Sequence, residues 1–249
     1  MGFITTVTTN GLLYPKKAES LKGLIDMLHF SLDSFDRDHH DEMRGVPCYD
    51  AVLESIDIAL ALGERPDILF TVFGQNTDQI ELVYNNISKP NNLVLILNPA
   101  FDYNEVEIGQ SLSKEDLTYL KKWADQPLVY LNKAFISLLE DGGNHRDSPV
   151  CKAGSSTIVI SPENKLISPC YHLNKDSFSL DEGLLKVYKS AEAKKAMSEA
   201  GKLPKCEGCT INCYMQPSFA TELNKYFWKA LPSTIKYNRM KGTWKQLVR

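Results

Sequence analysis
The chain has 249 residues, 43% of them hydrophobic and 24% charged, which is enough apolar material for one sizeable core or a domain and a half. A net charge of −3, from 28 basic and 31 acidic residues, leaves no electrostatic footprint for nucleic acid or an anionic membrane. No apolar run reaches membrane-spanning length and no cationic start precedes an apolar stretch, so neither a transmembrane helix nor a signal peptide is read, and a cytoplasmic location is expected. Met1-Gly2-Phe3-Ile4-Thr5-Thr6 fits an acylation pattern, yet the same residues read as the start of a strand.

In chain order, Phe3–Thr9 is a short β-branched run that ends in the turn signal Asn10-Gly11. Lys16–Asp26 has helical spacing through Leu21, Leu24 and Ile25. Met27–Leu32 is a second strand, closed by Asp33, and Asp50–Leu62 is an amphipathic helix stopped by Gly63. Ile68–Phe73 is a third strand. Thr77–Ile87 is a helix capped by Asn76 or Thr77, and Leu93–Leu97 is an apolar run of the kind buried on both faces. Strands alternating with helices predict a parallel α/β array, with the ligand site at the carboxyl ends of the strands.

Residues 114–140 read as two further helices, and Asp141-Gly142-Gly143-Asn144 breaks the pattern. The domain boundary is placed there, dividing 1–143 from 144–249. Thr157–Ile160 and Lys165–Ile167 flank Pro162-Glu163-Asn164 as a hairpin. Leu184–Ala200 is read as one helix ending at Gly201, Leu203–Tyr214 as a cysteine-rich loop, and about Ser218 to Ala230 as a last helix before a basic tail.

Six cysteines are the most informative count. Cys48 stands alone, whereas Cys151, Cys170, Cys206, Cys209 and Cys213 all fall in the last hundred residues. Clustered cysteines without a secretory signal point to metal or redox chemistry rather than a disulfide scaffold. Cys151 and Cys170 bracket the hairpin, which would bring them side by side. Cys206-Glu207-Gly208-Cys209 is a C-x2-C pair, with Gly208 permitting a tight loop and backbone N–H groups available to the sulfurs. Four thiolates can meet around a [4Fe–4S] cubane or a zinc ion, and this spacing excludes neither. His172 is read as a surface residue, with a fourth zinc ligand as the alternative.

Several segments resemble radical S-adenosylmethionine (SAM) enzymes. Thr8-Thr9-Asn10-Gly11 resembles that family's third-strand ending, and Phe30-Ser31-Leu32-Asp33 its fourth. Asp41-Glu42-Met43-Arg44-Gly45 and then Tyr49-Asp50-Ala51-Val52-Leu53 resemble the segment that follows. The pattern Cys151…Ser168-Pro169-Cys170…Cys206-Glu207-Gly208-Cys209 is similar to the twitch and SPASM extensions of the superfamily, best to the single-cluster twitch form. The likeness runs from about residue 3 to 230. It implies a partial parallel (β/α) barrel of the radical SAM type, followed by a small hairpin-and-helix domain holding an auxiliary [4Fe–4S] cluster.

By the same resemblance, SAM is reduced in the intact enzyme to give a 5′-deoxyadenosyl radical that abstracts hydrogen from a peptide or small-molecule substrate. The electrons would come from a ferredoxin or flavodoxin. Ser31, Thr9, Asn10 and Asn98 match positions that face SAM or substrate, while Asp33 and Arg44 are read as structural rather than catalytic. The pattern also departs from the family. Its C-x3-C-x2-C motif, expected before the strand at which this chain starts, is absent, and Cys206, Cys209 and Cys213 have the reverse spacing. Asn164-Lys165 stands where a hairpin glycine is common, and Cys213 is a fifth candidate for four ligand places. Three readings follow: an N-terminally short radical SAM enzyme unable by itself to cleave SAM, a non-catalytic Fe–S or zinc-binding α/β module, or a zinc-ribbon protein on an open sheet.

Overall fold
The computed structural model describes residues 3–101, 112–173 and 175–242. Its chain contacts define two units. The first comprises residues 1–100, 107–131 and 235–249, and the second residues 101–106 and 132–234. The second unit thus begins ahead of helix α6 (Lys133–Glu140), twelve residues before the boundary read at the Asp141–Asn144 break.

The first unit holds a five-stranded parallel sheet in the order β1 (Thr6–Thr9), β2 (Met27–Ser31), β3 (Asp67–Val72), β4 (Leu95–Pro99) and β5 (Val129–Tyr130). The first four are the strands read in the sequence, adjacent and parallel in chain order. Between them lie α1 (Tyr14–Leu21), α2 (Arg37–Arg44), α3 (Tyr49–Ala61) and α4 (Gln79–Val83), and α5 (Lys114–Trp123) precedes β5.

Register sorts the side chains of the sheet onto two faces. Phe30, Ile68, Phe70, Val72, Leu95 and Leu97 share one face and are almost wholly buried. Tyr14 of α1 meets Phe30 edge to face at 4.9 Å. Thr8, His29, Asp67 and Thr71 share the other face with Ser31 and Asn98, so that face is unusually polar for a sheet interior. The turn after β1 requires glycine. Gly11 sits at φ 79°, and a methyl there would lie 2.8 Å from the carbonyl oxygen of Ala51 on α3.

Several details of this unit differ from the sequence reading, among them α1, which ends at Leu21 rather than running to Asp26. The helix expected over Thr77–Ile87 is α4 followed by a π-turn over Tyr84–Ser88, and neither Asn76 nor Thr77 caps it. Asn76 instead accepts the Phe73 N–H and donates to the carbonyls of Asp33 and Thr71, tying the end of β3 to the end of β2.

The second unit carries a three-stranded antiparallel sheet, β6 (Val159–Ile160), β7 (Lys165–Ser168) and β8 (Asp176–Ser179). The expected hairpin is therefore the first two strands of three. Asn164 turns it at φ 57°, a conformation glycine would adopt without cost. The single helix expected over Leu184–Ala200 is two, α7 (Leu184–Tyr188) and α8 (Ala191–Ser198), because the Ser190 hydroxyl caps a fresh start by accepting the Ala193 N–H. The last helix also falls elsewhere. Asn212–Ser218 is α9 and Lys225–Lys241 is α10, whose start is capped by Asn224 accepting from the N–H groups of Tyr226 and Phe227. Among the described residues no helix is long and apolar enough to cross a membrane.

Candidate functional site
In the first unit, the carboxyl edge of the sheet gathers the residues singled out by sequence. Ser31 ends β2, is buried, and lies on the polar face with Asn98 of β4, which pairs with Thr71. Thr9 pairs with Phe30 and so lies on the opposite face. Its hydroxyl accepts the Gly11 N–H at 3.2 Å, and the Asn10 side chain accepts the Leu12 N–H, so both residues also shape the turn.

Just beyond Ser31, a buried polar network fixes this edge. The Asp33 carboxylate accepts the Thr71 N–H at 2.7 Å and pairs with the Arg44 guanidinium at 2.6 Å. Burial pushes its pKa up, against Arg44 and the Thr71 hydrogen bond, which pull it down. The Asp33 N–H donates to Nδ1 of His40 at 3.2 Å. That bond places the neutral ring's proton on Nε2, facing Cys48 Sγ at 3.4 Å. His40 therefore cannot take a proton from Cys48, and the lone cysteine is structural. Among the described residues, His40, Asp41 and Cys48 are also the only three metal-ligating groups with atoms within 4.8 Å of one another, but His40 Nε2 and Cys48 Sγ face one another in a hydrogen bond and Asp41 Oδ1 accepts the N–H groups of Cys48 and Tyr49.

His40 is fully buried, and burial, then Arg44, lowers its pKa to about 4. An unfolded histidine titrates near 6.5, so on acidification the unfolded chain takes the proton first. The stabilisation is complete above about pH 6.5 and is lost as pH falls towards 4, at a cost of about 2 kcal/mol between pH 7 and 5. Urea midpoints at those two pH values should move further apart for the native protein than for His40→Gln. Equal displacement in both would refute the assignment.

In the second unit, Cys151, Cys170, Cys206 and Cys209 line one cavity of about 40 Å³, well above the roughly 10–15 Å³ that one water needs. Ala153, Pro169, Ala200, Ile211, Tyr214 and Met215 supply much of the rest of its wall, so the pocket is mostly carbon and sulfur. Burial raises the Cys151 thiol to about 12, that of Cys209 to about 11, and that of Cys170 as well. A set of buried thiols facing a shared apolar space suits a positively charged centre that would hold them as thiolates. Cys213 is exposed and lies outside the wall, although its charge would be felt by Cys209. His172 is not the surface residue expected. It is half-buried in the cavity wall, with Tyr214 edge-on at 5.8 Å.

The cage is built by the elements around it. Cys206 ends a short 3-10 turn that begins at Pro204, and Cys209 closes the C-x2-C loop by donating to the Cys206 carbonyl at 3.2 Å. Cys170 follows β7 by one residue, Pro169, and the adjacent Tyr171 N–H donates to the Tyr214 hydroxyl of α9 at 2.8 Å. Sequence reasoning missed Asn144, which is wholly buried, lines the same cavity and joins the loops that carry three of these cysteines. Its only sequence signal was the Gly142-Gly143 pair in front of it.

Residues 1–87 match the Radical SAM superfamily. A protein described as a probable GTP 3′,8-cyclase in Sulfurisphaera tokodaii is 28% identical over 217 residues, covering 78% of this chain and 68% of that protein. One with the same description in Methanocella arvoryzae is 36% identical over 189 residues, covering 70% of this chain and 59% of that protein. Among solved structures, anSMEcpe with bound AdoMet matches 96% of this chain and 71% of that one, with a TM-score of 0.58 at 14% identity. Streptococcus suis SuiB matches 88% of this chain and 58% of that one, with a TM-score of 0.60 at 17% identity. At such identities these two likenesses speak for the fold alone. The family match is confined to residues 1–87, whereas the fold likeness to the two solved structures extends over 96% and 88% of the chain.

Proposed function
We propose that this chain is part of a radical SAM enzyme and carries an auxiliary [4Fe–4S] cluster held by Cys151, Cys170, Cys206 and Cys209. The observation that carries this reading is that four thiols from chain segments up to 58 residues apart line one cavity. A zinc ion would need sulfurs about 3.8 Å apart, given Zn–S bonds of about 2.3 Å in a tetrahedron. A cubane would hold them further apart, at its four corners, and the resemblance of the cysteine spacing to single-cluster extensions favours it. With four thiols around it, such a cluster has no corner left open to substrate, which fits electron transfer better than substrate binding.

In the first unit, Ser31 and Asn98 would line the SAM site at the carboxyl edge, and Thr9 and Asn10 would hold the turn at its margin. When bound and reduced in this superfamily, SAM supplies a 5′-deoxyadenosyl radical. The residues described here do not include the C-x3-C-x2-C ligands for that chemistry. Of the two substrate classes, a small molecule is the better supported. The relatives described as GTP 3′,8-cyclases are 28% and 36% identical, whereas anSMEcpe with bound AdoMet and Cp18Cys peptide is 13% identical. A flavodoxin or ferredoxin is the reductant this reading calls for.

Anaerobic reconstitution with iron and sulfide tests the reading. The native chain should bind about four irons and four sulfides with a visible charge-transfer band. Cys151→Ser and Cys209→Ser should each lose most of the iron, and Cys213→Ser should keep it. A chain that isolates with one tightly held zinc and takes up no iron would overturn the proposal.

A further inference from the structure
Asn144 uses every hydrogen-bonding group it has. Its side-chain Oδ1 accepts the N–H groups of Val150 at 3.0 Å and Cys151 at 3.1 Å. Its Nδ2 donates to the carbonyls of Gly201 at 2.8 Å and Cys206 at 3.0 Å. Its main-chain N–H donates to the Cys209 carbonyl at 3.0 Å, and its own carbonyl accepts the Gly208 N–H at 2.8 Å. The residue is wholly buried and its amide has two donors and two acceptor sites, so all four are filled.

Three of the four cysteines around the cavity are thus tied to one side chain or to its peptide groups. Cys170, the fourth, is held separately through the Tyr171 N–H and Tyr214. The two Nδ2 bonds matter most for the cavity. They hold the carbonyl of Cys206 on Asn144, and with it the entry to the C-x2-C turn, while Oδ1 holds the start of the Cys151 segment. An asparagine alone among side chains of this size offers two donors and two acceptors at such a junction.

We infer that Asn144 is the positioning residue of the auxiliary centre. It sets the main-chain orientation of Cys151, Cys206 and Cys209 before any cluster is present, so that the thiols meet the cluster without rearrangement. This inference rests on the auxiliary-cluster reading. Outer partners of this kind set the affinity of a metal site through its ligands, typically by tenfold to a hundredfold. A carboxylate at position 144 would keep the two bonds from Val150 and Cys151 but face the carbonyls of Gly201 and Cys206 with no donor. Asn144→Asp therefore releases one cysteine segment while retaining the other, with nearly unchanged volume.

The test compares native protein, Asn144→Asp and Phe219→Leu, the last a change in the core of the same unit at a residue that does not itself line the cavity. Each is reconstituted anaerobically and challenged with an iron chelator, and the reduced cluster's electron paramagnetic resonance signal is recorded. Asn144→Asp should lose iron at least tenfold faster than the native protein and show a shifted or broadened signal. Phe219→Leu should match the native cluster even where its melting temperature falls as far. Equal iron retention and an identical signal in Asn144→Asp would overturn the positioning role while leaving the cluster in place. A loss in Phe219→Leu equal to that in Asn144→Asp would also overturn it, as general destabilisation. A native protein that holds no iron would remove the cluster reading itself.

Discussion

Asp67→Asn should destabilise the first unit by about 3–5 kcal/mol, the usual cost of removing one partner from a buried ion pair. Asp67 opens β3, is wholly buried, and gathers three partners. The Tyr237 hydroxyl donates to it at 2.6 Å, the Lys241 ammonium lies at 2.9 Å, and His29, its cross-strand neighbour, lies at 3.4 Å. Burial, then the Asp67 carboxylate, holds the Tyr237 phenol firmly protonated, so it always donates. The amide would leave the Lys241 charge, itself almost buried, without a counter-charge. Lys241→Met should also be costly, since it strips the main cation from a buried carboxylate. The double variant should cost at least about 1 kcal/mol less than the sum of the single ones, because both remove the same pair. Urea unfolding of the four proteins gives the cycle. Strict additivity would show that Asp67 and Lys241 do not depend on one another.

The leading strands were legible because they are short runs rich in β-branched or apolar residues closed by turn signals, Leu93–Leu97 being continuously apolar, and their length decides for strand. What was missed lacks such a signal. Helix α2 is Arg-Asp-His-His-Asp-Glu-Met-Arg, with only His40 buried, so no apolar stripe marks it. Strand β5 has two residues and follows Leu128 at φ 58°, a conformation that no propensity for leucine would suggest. Strand β8 is Asp-Ser-Phe-Ser, polar but for Phe178. Helix α10 runs through Pro232, where a sequence rule ends a helix, and this shifted the last element by several residues.

Spacing revealed the cysteines, since C-x2-C is a local pattern. Asp67 and Asn144 were invisible for the opposite reason. The partners of Asp67 are 38 residues before it and up to 174 after it, and those of Asn144 reach 65 residues downstream. A polar residue whose role is to close a distant junction carries no local signature. The glycines beside Asn144 gave a turn signal in the sequence, and Gly143 also lies against the main chain of Gly208.

Gly143→Ala is expected to cost about 3 kcal/mol or more and to prevent cluster assembly, while Gly142→Ala costs about 1–2 kcal/mol and leaves assembly intact. Both glycines have left-handed backbone, at φ 89° and 84°, so alanine is strained at either. Space separates them. A methyl on Gly142 meets nothing within 4 Å, whereas one on Gly143 would lie 2.3 Å from the Gly208 carbonyl oxygen and 2.6 Å from its carbon. Those are main-chain atoms inside the C-x2-C turn, so no rotamer change relieves the overlap. The turn must move away from the 143–144 segment, which breaks the bonds between Asn144 and the main chain of Gly208 and Cys209 at 2.8 and 3.0 Å. Cys206 and Cys209 move with it, and two of the four thiols leave the cavity wall. Melting curves of the metal-free variants measure the first effect, and iron content after anaerobic reconstitution measures the second. If Gly143→Ala melts with Gly142→Ala and binds as much iron, close backbone approach at Gly143 is not what holds the cysteine turn.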